Sequence, residues 1–221
     1  MTTFAFFAAK HGQGTSTTAA ALAVHLSNKG DKNVALVDLN GSDLRSIMGY
    51  ETVRPLVTSE VRRSNDMLGP CLFEAVEGND IAKLTAAMEL FFAGSQWDHV
   101  VFDVGTVAPA PDEEFQFTNN ISAAVLTGSD SRVLVTRACY LAMRKFNKIS
   151  QALRHLGQCE AVLIHEEGRA LTVWDVEVTL GFPVVATIKS DPTVARAVDA
   201  GTLATRKLTV MMDALRQIAA V

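Results

Sequence analysis

The sequence predicts an α/β fold, a doubly wound and mostly parallel sheet flanked by helices, for a single domain spanning residues 1–221. Three observations support this prediction. Apolar segments of strand length alternate with helical segments along the chain, which is the order typical of a doubly wound sheet. Segments 34–37 and 100–102 are almost continuously apolar, as in parallel strands buried on both faces. Glycine and polar residues follow the strands at their carboxyl ends, where sheets of this class bind ligands.

The first half of the chain alternates strands and helices. Apolar runs predict the strands, and the hydroxyl cluster 16–18 predicts the start of a helix. The charged segment 49–65, which contains Pro55, predicts an irregular and mobile surface stretch. The predicted strands are 4–9, 33–39 and 99–104, and the predicted helices are 16–29, 67–77 and 79–90, with a short turn or helix expected near 43–48.

The second half continues the alternation after a turn. Residues 108–111 read Ala-Pro-Ala-Pro, which predicts that turn. The next strand is expected either at 121–127 or at 132–136. In the last helix, apolar residues recur at spacings near three and four from Leu208 to Ile218, which predicts a stripe facing the core. The other predicted strands are 160–165 and 184–188, and the predicted helices are 112–119, 140–156, 172–180, 192–200 and 203–219.

Composition argues against several classes of protein. Hydrophobic residues make up 48% and charged residues 20% of the chain, which is not the composition of a disordered protein. A formal net charge of −4 argues against a strongly basic nucleic-acid binder. No apolar run approaches the ~20 residues of a membrane span, and the amino terminus lacks the basic start of a signal peptide. The three cysteines form no C-x-x-C pair, so we expect reduced thiols and a cytoplasmic protein.

A glycine loop follows the first predicted strand. Residues 9–18 read Ala-Lys-His-Gly-Gln-Gly-Thr-Ser-Thr-Thr, and an apolar helix comes directly after them. Strand, glycine loop, hydroxyl cluster and helix together have the layout of a P-loop. The backbone N–H groups of such a loop and the N-terminus of its helix bind phosphate groups. Gly12 and Gly14 keep the backbone close to the ligand, and the Ser16 hydroxyl occupies the position that would hold Mg²⁺.

The loop departs from the standard pattern at Thr15, where a lysine is expected. That lysine normally places an ammonium group between the β- and γ-phosphates. Losing one charge-assisted contact costs about 1.5–3 kcal/mol, or roughly one to two decades in affinity. We therefore expect nucleotide binding to survive better than γ-phosphate chemistry. The alternative interpretation is that the loop has drifted and holds no ligand.

Residues 10–17 resemble the deviant Walker A motif of the ParA/MinD family, K-G-G-x-G-K-[ST]-T. The hallmark of that family is a second, earlier lysine, which Lys10 matches, and which reaches across a dimer interface to the nucleotide of the partner. His11 replaces a glycine of the pattern, and histidine tolerates positive φ better than most residues. The resemblance implies that the phosphates of a nucleotide contact Lys10, His11, Gly12, Gln13, Gly14, Thr15, Ser16 and Thr17.

Two further segments resemble the family. Residues 33–40 resemble its second strand, which ends in V-D-x-D; Asp38 matches, and Asn40 replaces an aspartate that helps to orient or activate the attacking water. Residues 97–103 resemble a Walker B strand, in which Asp103 would hold Mg²⁺ through a water. The implied catalytic residues are Lys10, Asp38 and Asn40, and the implied Mg²⁺ ligands are Ser16, Asp38 and Asp103.

The resemblance extends to the remaining contacts of a nucleotide. Gly105 falls in a segment that resembles the second switch, where a backbone N–H senses the γ-phosphate. Residues 180–201 resemble the last strand of the family and the loop and helix that pack beside the adenine, and Asp191 lies in that loop. His165 stands near the place where a base-reading asparagine often ends the preceding strand. The similarity covers nearly the whole chain and is least clear between residues 50 and 96.

The resemblance implies a degenerate member of the ParA/MinD family that acts in plasmid or chromosome partition or in placing cell machinery. Intact relatives bind ATP and Mg²⁺ and form a sandwich dimer. Because Thr15 and Asn40 both remove groups that serve the reacting centre, we expect weak or absent hydrolysis, and enzymatic activity stays an open question. The alternative is a nucleotide-independent dimeric scaffold, a TadZ-like pseudo-ATPase that recruits a protein partner. A dethiobiotin synthetase-like ligase is less favoured, because Lys10 is typical of the positioning branch.

The expected partners follow from the same resemblance. We expect a homodimer that binds ATP or ADP, together with a protein partner of the adaptor or centromere-binding type. Non-specific DNA binding stays open, although a solvated helix face is the favoured interpretation of the basic residues that cluster around one predicted helix. Membrane attachment is not favoured, because the tail 218–221 has no basic face. The basic residues in question are Arg137, Arg144, Lys145, Lys148 and Arg154.

Overall fold

The computed structural model describes residues 1–29, 32–41, 44–51, 54–55, 69–75, 81–93, 96–110, 113–117, 120–206 and 208–220. Its strands are β1 (Thr2–Ala8), β2 (Val34–Asp38), β3 (Arg54–Pro55), β4 (Cys71–Glu74), β5 (His99–Thr106), β6 (Pro109–Ala110), β7 (Glu113–Phe117), β8 (Ser131–Arg137), β9 (Glu160–His165) and β10 (Val184–Lys189). Its helices are α1 (Thr15–Ser27), α2 (Leu44–Met48), α3 (Ile81–Ala93), α4 (Asn120–Gly128), α5 (Tyr140–Arg154), α6 (Val173–Leu180), α7 (Pro192–Asp199) and α8 (Thr209–Ile218).

Eight strands form one parallel sheet in the order β10-β9-β8-β1-β5-β2-β4-β3. Strand β1 lies in the middle, between β5 and β8. Strands β6 and β7 form a separate antiparallel hairpin. The predicted α/β fold with a doubly wound, mostly parallel sheet is therefore confirmed. Since all eight strands run the same way, their carboxyl ends meet at one edge, which is where ligands bind in such sheets.

The core has two layers, one on each face of the sheet, because side chains alternate along each strand. In β1, Phe4 and Phe6 pack in one layer with apolar residues of α1 and α8. Ala5 and Phe7 pack in the other layer with residues of α3 and α5, such as Phe146. Burial on both faces explains why the strands are apolar at nearly every position. Among the described residues, no helix is both long and apolar enough to cross a membrane.

The predicted helix 67–77 is wrong where the structure describes it. Residues Cys71–Glu74 form β4, which pairs with β2 over its whole length. Cys71, Leu72 and Phe73 are all buried, so both faces of this segment contact the core. Pairing with the sheet thus decides the conformation of this segment, which is too short for its hydrophobic periodicity to indicate a strand or a helix.

Predictions around the hairpin are also corrected. The predicted helix 112–119 is wrong, because Glu113–Phe117 form β7. Of the two alternatives for the following strand, 132–136 is confirmed as part of β8, whereas 121–127 lies in α4. The buried positions in and after α4 have helical spacing, which the apolar run in the sequence conceals: they are Ser122, Val125, Leu126 and Ser129.

Two further expectations need qualification. Helix α8 begins at Thr209 and not at residue 203, because residues 203–206 form a turn whose Leu203 N–H donates to the Ile47 carbonyl in α2 (3.2 Å). Within the predicted mobile segment 49–65, Arg54–Pro55 pair with β4 as an edge strand. The rest of that prediction falls almost wholly outside the described residues.

Candidate functional site

The loop between β1 and α1 lies at the carboxyl edge of the sheet. Gly12 (φ 75°) and Gly14 (φ 91°) both adopt left-handed backbone conformations, which explains why glycine stands at these two positions. Gly14 is the N-cap of α1 and has no side chain with which to cap it. The first N–H groups of α1 are consequently left for a ligand, and the helix dipole favours an anion there.

The loop is open and borders a continuous groove. A cavity of about 220 Å³ is lined by residues 10–17 together with Asn40, Gly105 and Thr106. A second cavity, of about 240 Å³, shares Gly14 and Thr17 with the first. It continues over Ile164 to the loop between β10 and α7. The groove therefore runs from the glycine loop, over the start of α1, to the far edge of the sheet.

Side chains of the loop bind the loop itself and its surroundings. Gln13 is almost fully buried, and its Oε1 accepts from the backbone N–H of Arg137 at the end of β8 (3.0 Å). The Nδ1 atom of His11 lies 3.1 Å from the Thr106 hydroxyl, and Lys10 Nζ donates to the His11 carbonyl (3.1 Å). These contacts hold the loop in shape through its own residues.

Asp38, the last residue of β2, and Asp103, inside β5, stand opposite each other in the β2–β5 register. Both are completely buried. Asp38 Oδ1 accepts from the Asn40 N–H (2.9 Å), and Asp103 Oδ1 accepts from the Gly105 N–H (3.1 Å). Each carboxylate thus holds the backbone two positions further along the chain, and the residue at that position, Asn40 or Gly105, lines the groove.

These carboxylates meet the requirements of Mg²⁺ in part. Within the described ranges, no three His, Cys, Asp or Glu side chains come together as a metal-binding group. Mg²⁺ usually takes one or two carboxylates together with water and substrate phosphates, and does not need a cage of protein ligands. Two buried carboxylates behind the groove and the Ser16 hydroxyl on its wall fit that pattern.

Asn40 and Gly105 are brought into contact at the edge of the groove. Gly105 has φ 74°, and a Cβ atom built on it would lie 2.2–2.6 Å from the side-chain atoms of Asn40. Only glycine therefore leaves room for Asn40 at this point. The two residues predicted for water activation and γ-phosphate sensing lie side by side, and their roles remain predictions.

At the other end of the groove, Asp191 is the N-cap of α7 and lines the second cavity. Its Oδ1 accepts from the Thr193 N–H (2.6 Å). The Thr193 hydroxyl and then this N–H hold the pKa of Asp191 below its usual value. His165 ends β9 as predicted, but Ile164 lines the groove in its place. The structure thus brings together the predicted loop residues, Asn40, Gly105 and Asp191, and leaves His165 outside.

Arg137 and Lys189 also line the second cavity, and sequence reasoning missed both as site residues. They are the last residues of β8 and β10. Their place at the carboxyl ends of strands is the signal that would have found them. In the sequence, Arg137 belongs to a group of basic residues around the predicted helix 140–156, for which a solvated helix face is the favoured interpretation. In the structure its guanidinium forms an ion pair with Glu166, next to the groove.

Glu166 joins two arginines. It pairs with Arg137 and with Arg169, whose Nε donates to Oε2 (2.6 Å). The hydrogen bond from Arg169, followed by the charges of both arginines, holds the pKa of Glu166 below its usual value. This carboxylate therefore fixes the Arg137 side chain at the groove wall.

Replacing Glu166 by glutamine is expected to lower the melting temperature at pH 7 by about 2–4 °C, since such partly exposed pairs contribute up to ~1 kcal/mol. A carboxylate with a lowered pKa stabilises the fold above the pKa of the unfolded chain, and this contribution disappears as the pH falls through the folded value. Thermal unfolding of Glu166→Gln and wild type from pH 8 to pH 3 measures the difference. The difference in melting temperature between Glu166→Gln and wild type should shrink toward pH 3. The exposed neighbour provides the control, because Glu167→Gln should change little. A constant difference at every pH contradicts the ion-pair role.

The parallel sheet, the glycine loop after its central strand and the helix that begins on that loop define a P-loop NTPase-like fold. Three solved structures share it, each aligned over nearly the whole of both chains. A ParA family ATPase from Chlorobium tepidum has a TM-score of 0.74 at 18% identity, covering 99% of this chain and 95% of its own. MinD in the MinC:MinD cell division complex of Aquifex aeolicus has a TM-score of 0.74 at 18% identity, covering 100% of this chain and 94% of its own. The ATP complex of Cyanothece McdA(D38A) has a TM-score of 0.63 at 18% identity, covering 100% of this chain and 94% of its own.

The chain therefore has the fold of the ParA, MinD and McdA proteins, and the resemblance found in the sequence is confirmed at the level of the fold. The sequence matches no protein-family model and no curated protein.

Proposed function

We propose that this chain is a positioning protein of the ParA/MinD type that binds ATP or ADP, with Mg²⁺, along the P-loop groove. The observation that carries this proposal is the open loop itself. Gly12 and Gly14 hold the backbone in the left-handed conformations of a phosphate cradle, and the start of α1 faces the same groove. A main-chain cradle of this kind does not depend on the missing lysine. Among proteins of the same fold, McdA(D38A) is solved as an ATP complex.

The nucleotide is proposed to lie along the groove with its phosphates on residues 10–17 and its base toward Asp191. Positive charge is available at both parts. Lys10 carries an ammonium at the loop, while Arg137 and Lys189 line the second cavity. Mg²⁺ would be held by Ser16, with Asp38 and Asp103 ordering its water ligands; the ion would neutralise phosphate charge.

Hydrolysis is proposed to be weak or absent. Thr15 lines the groove with a neutral hydroxyl where a charged group would stabilise the transferred phosphoryl group. Asn40 lies against Gly105 and presents an amide, which cannot accept a proton as a carboxylate does. Binding and hydrolysis are thus separable properties of this site.

The biological role we propose is a cytoplasmic dimeric switch in partition or in placing cell machinery, acting through a protein partner. Lys10 supports the dimer, because a partly exposed ammonium at the groove mouth can reach a second subunit. A complex with a protein partner is solved for MinD, which shares the fold.

One observation favours a second candidate, a nucleotide-independent scaffold. The contacts of Gln13 with Arg137, of His11 with Thr106 and of Lys10 with His11 hold the loop in place without a ligand. A scaffold of this kind would dimerise through the same face and recruit its partner constitutively.

Calorimetric titration with ATP and ADP in the presence of Mg²⁺, combined with light scattering, separates the two candidates. We expect saturable binding of one nucleotide per chain and a dimer that forms with ATP. Gly12→Ala should weaken binding about tenfold or more, a loss of ~1.4 kcal/mol, because Gly12 lines the groove. Gly168→Ala is the matched control: both glycines have positive φ, and a Cβ on either meets no atom within 4 Å. A constitutive dimer without heat of binding supports the scaffold and refutes the nucleotide proposal.

A further inference from the structure

A separate cavity lies at the far end of α1 from the glycine loop. It has a volume of about 300 Å³ and lies between the last turns of α1, the turn that precedes α8, and α8 itself. Its walls are mainly apolar and buried, with Val24 on α1, Leu208 before α8 and Leu215 on α8. None of these residues lines the nucleotide groove.

One polar side chain lies among these apolar walls. His25 lines the cavity, is only 6% exposed, and its Nε2 has no hydrogen-bond partner among the described residues. Buried polar atoms in proteins are nearly always hydrogen-bonded, so a buried nitrogen of this kind at a cavity wall points to a ligand. The remaining polar residues of the lining, Asn28, Thr205 and Arg206, are exposed and lie at the mouth.

The uncharged state of His25 favours a neutral ligand. Burial lowers the pKa of His25 below its ordinary value, and the charges of Lys29 and Arg216 lower it further. The imidazole is therefore neutral at neutral pH and carries one N–H donor and one acceptor. A hydroxyl group matches either state of Nε2, because it both donates and accepts.

Size limits the ligand further. An apolar protein cavity of about 150 Å³ holds one benzene molecule, so about twice that volume has room for two fused rings. We propose that this cavity is a binding site for a neutral aromatic alcohol of one or two rings, whose ring system fills the apolar walls and whose hydroxyl bonds to His25 Nε2. The site does not depend on nucleotide binding.

The probe is 2-naphthol, titrated by fluorescence against the full chain, and 2-methylnaphthalene is the matched ligand with a methyl group in place of the hydroxyl. We expect one saturable site per chain and a preference for 2-naphthol of about tenfold, as a loss of ~1.4 kcal/mol implies. In NMR spectra, the imidazole signals of His25, assigned by their loss in His25→Phe, should shift with 2-naphthol.

Three variants test the site. His25→Phe should abolish the preference for 2-naphthol while leaving 2-methylnaphthalene bound. Met212→Trp, at a half-buried position of the lining, should fill the cavity and weaken both ligands about tenfold. His155→Phe replaces an exposed histidine at the C-cap of α5, outside this cavity, and should change the affinity for neither ligand. Circular dichroism checks that each variant folds.

Several results would overturn the proposal. These are a lack of saturable binding, equal affinity for the two ligands, or an unchanged preference in His25→Phe. If His25→Phe fails to fold, unaltered binding by Met212→Trp is sufficient to reject the site. Unchanged ATP titrations in Met212→Trp would show that any loss concerns this cavity and not the nucleotide groove.

Discussion

Replacing Thr15 by lysine is expected to tighten ATP binding by roughly ten- to a hundredfold. Thr15 is the first residue of α1 and lines the groove beside Gly14. A lysine at this position would extend an ammonium toward the phosphates, and one charge-assisted contact contributes about 1.5–3 kcal/mol. Titration of ATP with Mg²⁺ into Thr15→Lys and wild type measures the change directly.

A neutral substitution separates charge from bulk. Thr15→Met adds a side chain of similar length without an ammonium, so it should leave the affinity unchanged or lower it. Phosphate release should stay low in Thr15→Lys, because the Asn40 amide still lies against Gly105. The double substitution Thr15→Lys with Asn40→Asp should raise it. If Thr15→Lys alone hydrolyses ATP, the Asn40 amide does not prevent hydrolysis. If it binds no better than Thr15→Met, the groove does not hold phosphates as we propose.

Strands and helices were predictable from the sequence where the hydrophobic pattern extends over a long segment. Long apolar strands such as β1 and β5, and the amphipathic helix α5, were found close to their true bounds. Strand β4 was not, because residues 71–73 are all buried against the core, on both faces of the sheet, and carry no period-two signal. Only its pairing with β2, which comes from elsewhere in the chain, makes it a strand. Tertiary context decides such segments.

The candidate site was predictable where its residues are adjacent in sequence. The loop 10–17 could be interpreted as one motif, since its glycines and hydroxyls follow one another. The contacts that hold the loop in place could not be predicted in this way, because the hydrogen bond from the Arg137 N–H to Gln13 joins residues that are distant in sequence. The same holds for Asn40 against Gly105, a contact that depends on the register of β2 and β5. Spacing shows which residues follow strands, whereas strand order decides which of them meet.

Replacing Gly49 by alanine is expected to be strongly destabilising. Gly49 follows α2 with φ 71°, and a Cβ there would lie 2.1 Å from the carbonyl oxygen of Gly201, just after α7. The obstacle is backbone, which cannot rotate away as a side chain can. Left-handed strain of about 1–2 kcal/mol and overpacking of about 1–3 kcal/mol together predict a loss of roughly 2–5 kcal/mol. In a chain of this size, the melting temperature should fall by about 5–15 °C.

A second glycine isolates the contribution of the contact. Gly157 has φ 88°, but a Cβ there meets no atom within 4 Å. Gly157→Ala should therefore show only the backbone strain, with a loss of about 1–2 kcal/mol. The difference between the two variants measures the backbone contact between the ends of α2 and α7. It also bears on the groove, because α7 and its N-cap Asp191 form a wall of the second cavity, and a shift of the far end of α7 would move that wall. Equal melting temperatures for Gly49→Ala and Gly157→Ala would mean that the backbone contact between Gly49 and Gly201 does not exist.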